Sequence, residues 1–377
     1  MGYIFYIAIF NAFFFSLLLF QKKSRATHDN ILIVWLVFLG CFIGSYTLYA
    51  EELFTQLNLL SANLISLFLL HGIFLYLYAS RIISKQIKFN KKKLLHLLPF
   101  VAFNLYIVGA SFFPYTANKI RIHNVHANVQ PPYLFLFFLI LTLLSGPFYF
   151  ILTLNRLKRH NINIFNNFSS TEDINLEWLR KLVIVFGIIW TSLIIITVIH
   201  HVFNLFSMGF CTDGLFLALS VFVILIGYFG LKQKIIFGSE YEQQAISIEG
   251  KIKYSGSTLK EDEAVKYIKQ LNQYIQLEKP YLNPGLTLTQ LASDLNISPH
   301  HLSQIINEHF NMNFFEYTNQ FRVEEVKSRI NNPKFESFSL LGIALDSGFN
   351  SKSAFNRIFK KYTNQTPSQY RSGSTKK

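Results

Sequence analysis

The sequence predicts an all-α chain, a seven-span transmembrane helix bundle followed by a cytoplasmic bipartite helix-turn-helix domain. Three observations lead there. Long apolar runs without Lys, Arg, Asp or Glu fill the chain up to residue 231, a charged and helix-patterned stretch follows, and that stretch repeats one motif at a fixed offset. Composition points the same way. Of 377 residues, 51% are hydrophobic and only 15% charged, where a soluble chain usually carries about a quarter. Forty Phe and a positive mean hydropathy exclude a disordered chain and argue against a wholly soluble one. Two cysteines, Cys41 and Cys211, exclude a disulfide-stapled fold and provide no CxxC metal pattern.

The apolar runs are 3–20, 31–50, 53–79, 94–113, 132–154, 182–199 and 214–231. Each reaches the ~18 residues that cross ~30 Å of hydrocarbon at ~1.5 Å per residue. The first is not expected to be a signal peptide, because its positive charges (Lys22, Lys23 and Arg25) follow it. Gly146-Pro147 is expected to kink the fifth span, as membrane helices tolerate. The loops 21–30, 80–93 and 155–181, with Lys232 and Lys234, hold 16 cations, whereas the opposite side holds only Lys119 and Arg121. The positive-inside rule therefore places the N-terminus outside the cytoplasmic (inner) membrane and everything after residue 231 in the cytoplasm. The Lys91–Lys93 run reads as part of that bias, or as a contact to anionic lipid.

These patterns divide the chain into a membrane domain at 1–232, a linker at 233–256 and a double helix-turn-helix domain at 257–377. The linker lacks helical periodicity. Thr258 with Glu261 reads as a capping box opening a helix through about residue 277. Lys279-Pro280 and Asn283-Pro284-Gly285 then break the chain.

LTLTQLASDLNISPHHLSQIINEHF at 286–310 aligns with SLLGIALDSGFNSKSAFNRIFKKYT at 339–363, Ala292 and Ala344 standing 52 residues apart. The same offset relates Leu291 to Ile343, Asn296 to Gly348, Ile297 to Phe349, Leu302 to Ala354 and Phe310 to Tyr362. A small residue where two helices cross, a residue able to take positive φ four positions on, and an apolar residue six later spell a helix-turn-helix. Ser298 should cap the second helix of the first copy with Pro299 following, and Asn350 the matching helix of the second. Between the copies, NFFEYTNQFRVEEVKSRI at 313–330 reads as one long helix.

With LTLTQLASDLNIS, HHLSQIIN, NFFEYTNQFRVEEVK and IALDSGFNSKSAFNRIFKKYTNQTPSQYR, residues 260–377 resemble the DNA-binding domain of AraC/XylS-type bacterial transcription regulators. Joined to a multispan half, the chain is similar to the membrane-integral branch of that family. Two departures stand out: Asn364 where the family usually has Gly, and Asp346-Ser347 in place of a bulkier pair. The resemblance implies promoter DNA as the partner.

Helical spacing turns Leu302, Ile305, Ile306 and Phe310 inward and leaves His300, Ser303, Gln304 and Asn307 on the outer face of the first recognition helix. On the second, Phe355, Ile358, Phe359 and Tyr362 turn inward, leaving Lys352, Ser353, Asn356, Arg357 and Lys360 outside. Gln and Asn suit adenine, Arg suits guanine, and Lys and Ser suit phosphate.

No Asp, Glu, Lys or Arg lies inside a span, so no proton relay or ion path is visible. His71, alone in mid-span, is expected to be packed and hydrogen-bonded. On the outer side, Lys119, Arg121, His123, His126, His200 and His201 are the most polar contacts for a signal. They lack the cysteine or carboxylate spacing of a closed metal site. No paired carboxylates, nucleophile-base pair or phosphate loop indicates an enzyme, and no cofactor is expected. The expectation is a membrane-embedded, sequence-specific transcription regulator, a one-component signal-responsive switch. Its partners would be double-stranded promoter DNA, the lipid bilayer, a second copy in a homodimer, and a small-molecule or envelope signal. Two alternatives remain: a receptor whose helical domain binds a protein partner, and a small-molecule carrier with a regulatory tail.

Reporter fusions test the topology. Fusions at 114–131 and 205–213 should report the outer compartment, and those at 80–93 and 155–181 the cytoplasm. Reversal at two of these loops overturns the N-out arrangement.

Overall fold

A computed structural model describes residues 2–50, 60–83, 91–119, 132–172, 174–203, 208–233, 259 and 261–374. All regular elements among them are helical, and one isolated antiparallel bridge joins Phe168 to Thr287. The chain packs as two units, Met1–Lys158 with Leu176–Ile236, and Arg159–Asn175 with Phe237–Lys377.

The helices of the first half are α1 (Gly2–Phe20), α2 (Thr27–Ala50), α3 (Leu60–Ile83), α4 (Leu98–Ser111), α5 (Pro114–Lys119), α6 (Tyr133–Asn167), α7 (Glu177–Phe203) and α8 (Met208–Lys232). Among the described residues seven stretches are long and apolar enough to cross a membrane: Tyr3–Phe20, Thr27–Leu48, Asn63–Ile83, Leu94–Ser111, Tyr133–Asn167, Glu177–Ile196 and Asp213–Lys232. Number and order agree with the apolar runs of the sequence. The fourth opens as a 3-10 turn over Lys91–Leu97, and α6 continues through Pro147.

Trp35, Phe42, Tyr78 and Phe103 are buried, while Phe10, Leu105, Phe112, Phe137 and Ile188 stay exposed on the same set of helices. Exposed apolar faces of that kind suit hydrocarbon better than water. At one end of this unit Lys22 pairs with the buried Asp29 at 3.1 Å and donates to the Gln233 carbonyl at 3.2 Å. Trp178 Nε1 donates to the Gln233 side chain at 2.8 Å. Lys22, one of the cations counted in the loop bias, is thus a fixed structural tie. His71 is packed as expected, against Phe38, Phe42 and Phe68. The expected hydrogen bond is missing: neither of its ring nitrogens has a partner among the described residues.

The sequence ends the fifth span at 154 and opens a loop at 155. Instead, α6 runs on to Asn167, because Leu157, His160, Ile164 and Phe168 continue a buried stripe at helical spacing past the charges Arg156, Lys158 and Arg159. Residues 159–175 pack with the C-terminal unit, so the membrane domain written as 1–232 is interrupted there. Thr258 and linker residues 234–256 lie outside the described residues.

The C-terminal helices are α9 (Glu261–Glu278), α10 (Leu288–Asp294), α11 (Pro299–Glu308), α12 (Phe314–Ile330), α13 (Leu340–Asp346), α14 (Lys352–Thr363) and α15 (Pro367–Ser374). They enclose two cores. Leu271, Leu291, Leu302 and Ile306 belong to the first; Ile343, Phe349, Phe355 and Phe359 belong to the second. Helix α12 serves both, sending Phe314 and Tyr317 into one and Phe315, Val323 and Val326 into the other. Asn313 and Glu316 start it with a reciprocal capping box.

The repeat extends to individual hydrogen bonds. Ile297 N donates to Ala292 O at 3.0 Å, and Phe349 N to Ala344 O at 3.1 Å. Asn296 N to Ser293 O and Gly348 N to Leu345 O are both 3.0 Å. Thr287 and Ser298 cap the first pair of helices, Ser339 and Ser351 the second. Ser351 replaces Asn350 as the expected cap, because its extended backbone places Oγ 3.1 Å from Ala354 N and α14 begins one residue late. Asn364, the departure from the family pattern, holds φ 56 at the end of α14. Asn fills the left-handed position that Gly would otherwise take.

The two turns differ in surroundings. Asn296 is exposed at φ 54, whereas Gly348 is buried at φ 91. A Cβ at Gly348 would stand 2.3 Å from the Tyr281 carbonyl oxygen and 2.9 Å from Arg322 Nε. Exchanging the residues should therefore be asymmetric. Asn296→Gly should shift stability by less than about 1 kcal/mol, while Gly348→Asn should cost on the order of 2–4 kcal/mol. Urea-dependent proteolysis of the C-terminal helices measures both, and equal midpoints contradict the close approach.

Candidate nucleic-acid interface

Helix α11 begins at Ser298, whose Oγ accepts from His301 N at 3.1 Å, with Pro299 in the first turn. Its inner face buries Leu302, Ile305 and Ile306. Of the four outward candidates, His300 is exposed and Ser303, Gln304 and Asn307 are half-buried. Gln304 Nε2 donates to Glu308 at 3.0 Å, and Asn307 Nδ2 to Ser303 Oγ at 3.2 Å. These polar tips are held by one another along the helix.

Helix α14 is different. Ala354, Phe355, Ile358 and Phe359 are buried, and Lys352, Ser353, Asn356, Arg357 and Lys360 are all exposed. Three cations share that face, the arrangement that attracts phosphate and leaves side chains able to reach base edges. Arg357 also borders a narrow crevice with Asn319, Asn350 and Ser169. At the far end of α14, Lys361 pairs with Glu316 at 2.9 Å and Tyr362 Oη donates to the Glu316 carbonyl at 3.0 Å. Burial and then the Glu316 charge push the Tyr362 phenol up to about 12, so it stays a donor.

What orients the two modules is a residue the sequence reading did not single out. Arg322, on α12, is 1% exposed. Its Nε donates to Tyr281 O at 2.7 Å, Nη1 to Ser169 O at 2.9 Å, and Nη2 to Ser169 Oγ at 2.9 Å and Asn283 O at 2.8 Å. Burial pushes its pKa down to about 9, which leaves it charged at neutral pH. Carbonyl dipoles therefore do the work a carboxylate would do elsewhere. The available signal was position: Phe315, Asn319, Arg322 and Val326 form one helical stripe, with two polar members among apolar ones. Next to it, Glu325 accepts from Lys279 at 3.0 Å and Arg329 at 2.9 Å. Partial burial would raise its carboxyl, but these two cations hold it below the usual range.

Arg121, His123 and His126, expected as signal contacts, lie outside the described residues. Lys119, His200 and His201 are placed only as helical positions. No cluster of three His, Cys, Asp or Glu side chains occurs among the described residues.

Residues 291–373 match the family described as a helix-turn-helix domain. Over 93 residues the chain is 32% identical to a probable transcription factor, PqrA, of Proteus vulgaris, covering 25% of this chain and 74% of that protein. The chain belongs to the AraC-type helix-turn-helix family. It is also 33% identical over 104 residues to a helix-turn-helix-type transcriptional regulator of Staphylococcus aureus, covering 28% of this chain. The chain spans only 13% of the length of that relative. A solved structure from Listeria innocua shares 30% identity over 28% of this chain and 94% of that one, with a TM-score of 0.25. Within this AraC-type domain, α11 and α14 are the second helices of the two helix-turn-helix modules, and α12 joins them.

Arg322→Lys keeps a charge but cannot reach Tyr281, Asn283 and Ser169 together. It should lower stability by about 2–4 kcal/mol, since buried carbonyls lose their donors. An unchanged urea midpoint in proteolysis of the full-length protein would refute the orienting role.

Proposed function

We propose that the chain is a membrane-embedded, sequence-specific transcription regulator acting as a one-component switch. The observation that carries this reading is the exposed, cationic face of α14 on the second of two helix-turn-helix modules joined by one rigid helix. The seven membrane-length helices with exposed apolar faces support anchoring in the inner membrane, and the cation bias supports an external N-terminus with the DNA-binding domain in the cytoplasm. Signal entry belongs to the outer-side group of Lys119, Arg121, His123, His126, His200 and His201. A homodimer would present four recognition helices to a promoter.

Two recognition helices on one connecting helix should enter successive major grooves, ~34 Å apart, so half-sites should recur about one helical turn apart. Titration of the full-length protein in lipid nanodiscs against its occupied promoter, at several salt concentrations, tests the assignment. Arg357→Ala should weaken binding by about 1–3 kcal/mol and relax specificity at one position of the site. Lys360→Ala should weaken binding to every sequence and flatten the salt slope by about one unit. Promoter binding no tighter than binding to random duplex removes this function.

A further inference from the structure

The end of α6 and the connection to α7 are docked on the C-terminal helix-turn-helix domain. Residues 159–175 share a unit with Phe237–Lys377. Phe165 meets Phe315 edge-on at 5.0 Å, and Phe168 forms the antiparallel bridge to Thr287. Ser169 N donates to Leu286 O at 3.1 Å, while Ser169 O accepts from Arg322 and from Asn319 Nδ2 at 3.0 Å. His160 Nε2 lies 3.1 Å from the Ile174 carbonyl, closing the segment on itself. Thr171 and Glu172 continue into the crevice whose other wall carries Asn350 and Arg357. One short segment therefore touches the first module, the connecting helix and the second module.

We infer that residues 159–175 are an intramolecular clamp that holds the DNA-binding domain in a low-affinity arrangement until the flanking membrane helices withdraw it. This rests on the regulator reading above. Two features give the clamp its sign. Glu172 brings a negative charge to the crevice bordered by Arg357, where an approaching phosphate would be repelled. The segment also contacts both modules at once, so its withdrawal frees the connecting helix and the α14 side of the crevice together. Connectivity supplies the release. The segment holds the C-terminal end of α6 and leads into α7, so a shift of either helix pulls on the backbone that grips Arg322. The clamped and released states then form a two-state element that a signal biases.

The test uses the full-length protein in lipid vesicles, with Cys41→Ser and Cys211→Ser as background. Phe168→Cys and Thr287→Cys are introduced together. Neighbours across an antiparallel bridge have Cα atoms ~4.5–5.5 Å apart, within reach of a disulfide. Diamide, which takes up the two thiol hydrogens, should cross-link the pair. The cross-linked protein should bind promoter duplex roughly tenfold or more weakly than the same protein after reduction, the span of ordinary allosteric coupling. Phe165→Ala, which removes the ring contact with Phe315 and leaves every partner of Arg322 in place, should tighten binding over the parent by a similar factor. Failure to cross-link, equal affinity in both redox states, or a Phe165→Ala protein that binds no tighter overturns the clamp. Promoter-selective binding that ignores redox state removes the clamp alone. Absence of selective binding in every form removes the regulator reading, and the clamp with it.

Discussion

A guanidinium with no carboxylate beside it can be buried only if every N–H finds an oxygen, because an unpaired donor in a low-dielectric interior costs several times what the bond returns. Arg322 meets that condition with peptide carbonyls from Tyr281, Asn283 and Ser169, the Ser169 hydroxyl and, at 3.4 Å, the Asn319 side-chain oxygen. The requirement spreads outward. The breaker sequence at 280–285 has to present two carbonyls inward, the turn of the second module has to come close to Tyr281, and that approach leaves no room for a Cβ at position 348. The difference between Asn296 and Gly348 in otherwise matching turns thus follows from one side chain on the connecting helix.

The same helix explains why two modules behave as one domain. Phe314 and Tyr317 turn into the first core, Phe315, Val323 and Val326 into the second, and the polar pair Asn319 and Arg322 lies on the stripe between them. A helix buried on several sides cannot roll without disturbing both cores. Whatever engages its polar stripe acts on both recognition helices together. The 169 backbone does so, which ties residues 159–175 to the helix that serves both cores.

Local features were legible in the sequence, and the reasons are local. Positive-φ turn residues, Ser and Thr caps and the inward stripes of α11 and α14 depend on neighbours within about one helical turn, and repetition at an offset of 52 made them visible twice. The shift from Asn350 to Ser351 shows the limit: two adjacent capping residues compete, and backbone geometry picks one. The α6 extension was written in Leu157, His160, Ile164 and Phe168, but the charges Arg156, Lys158 and Arg159 between them read as the end of a span. His71 was placed correctly as a packed residue, and only the surrounding rings show that its nitrogens go unpaired.

By itself, the sequence determined the helical class, the seven apolar runs, the duplicated motif and the membership of its C-terminal part in a DNA-binding family. Each of these is carried by periodicity, composition or spacing along a short stretch of chain. Only the tertiary structure decided that Ser169 reaches a guanidinium 153 residues away, and that Gly348 is held against Tyr281. Such contacts leave no periodic trace, because the partner of a buried charge is a backbone carbonyl that every residue type provides. Sequence names the donor; only folding selects the acceptor.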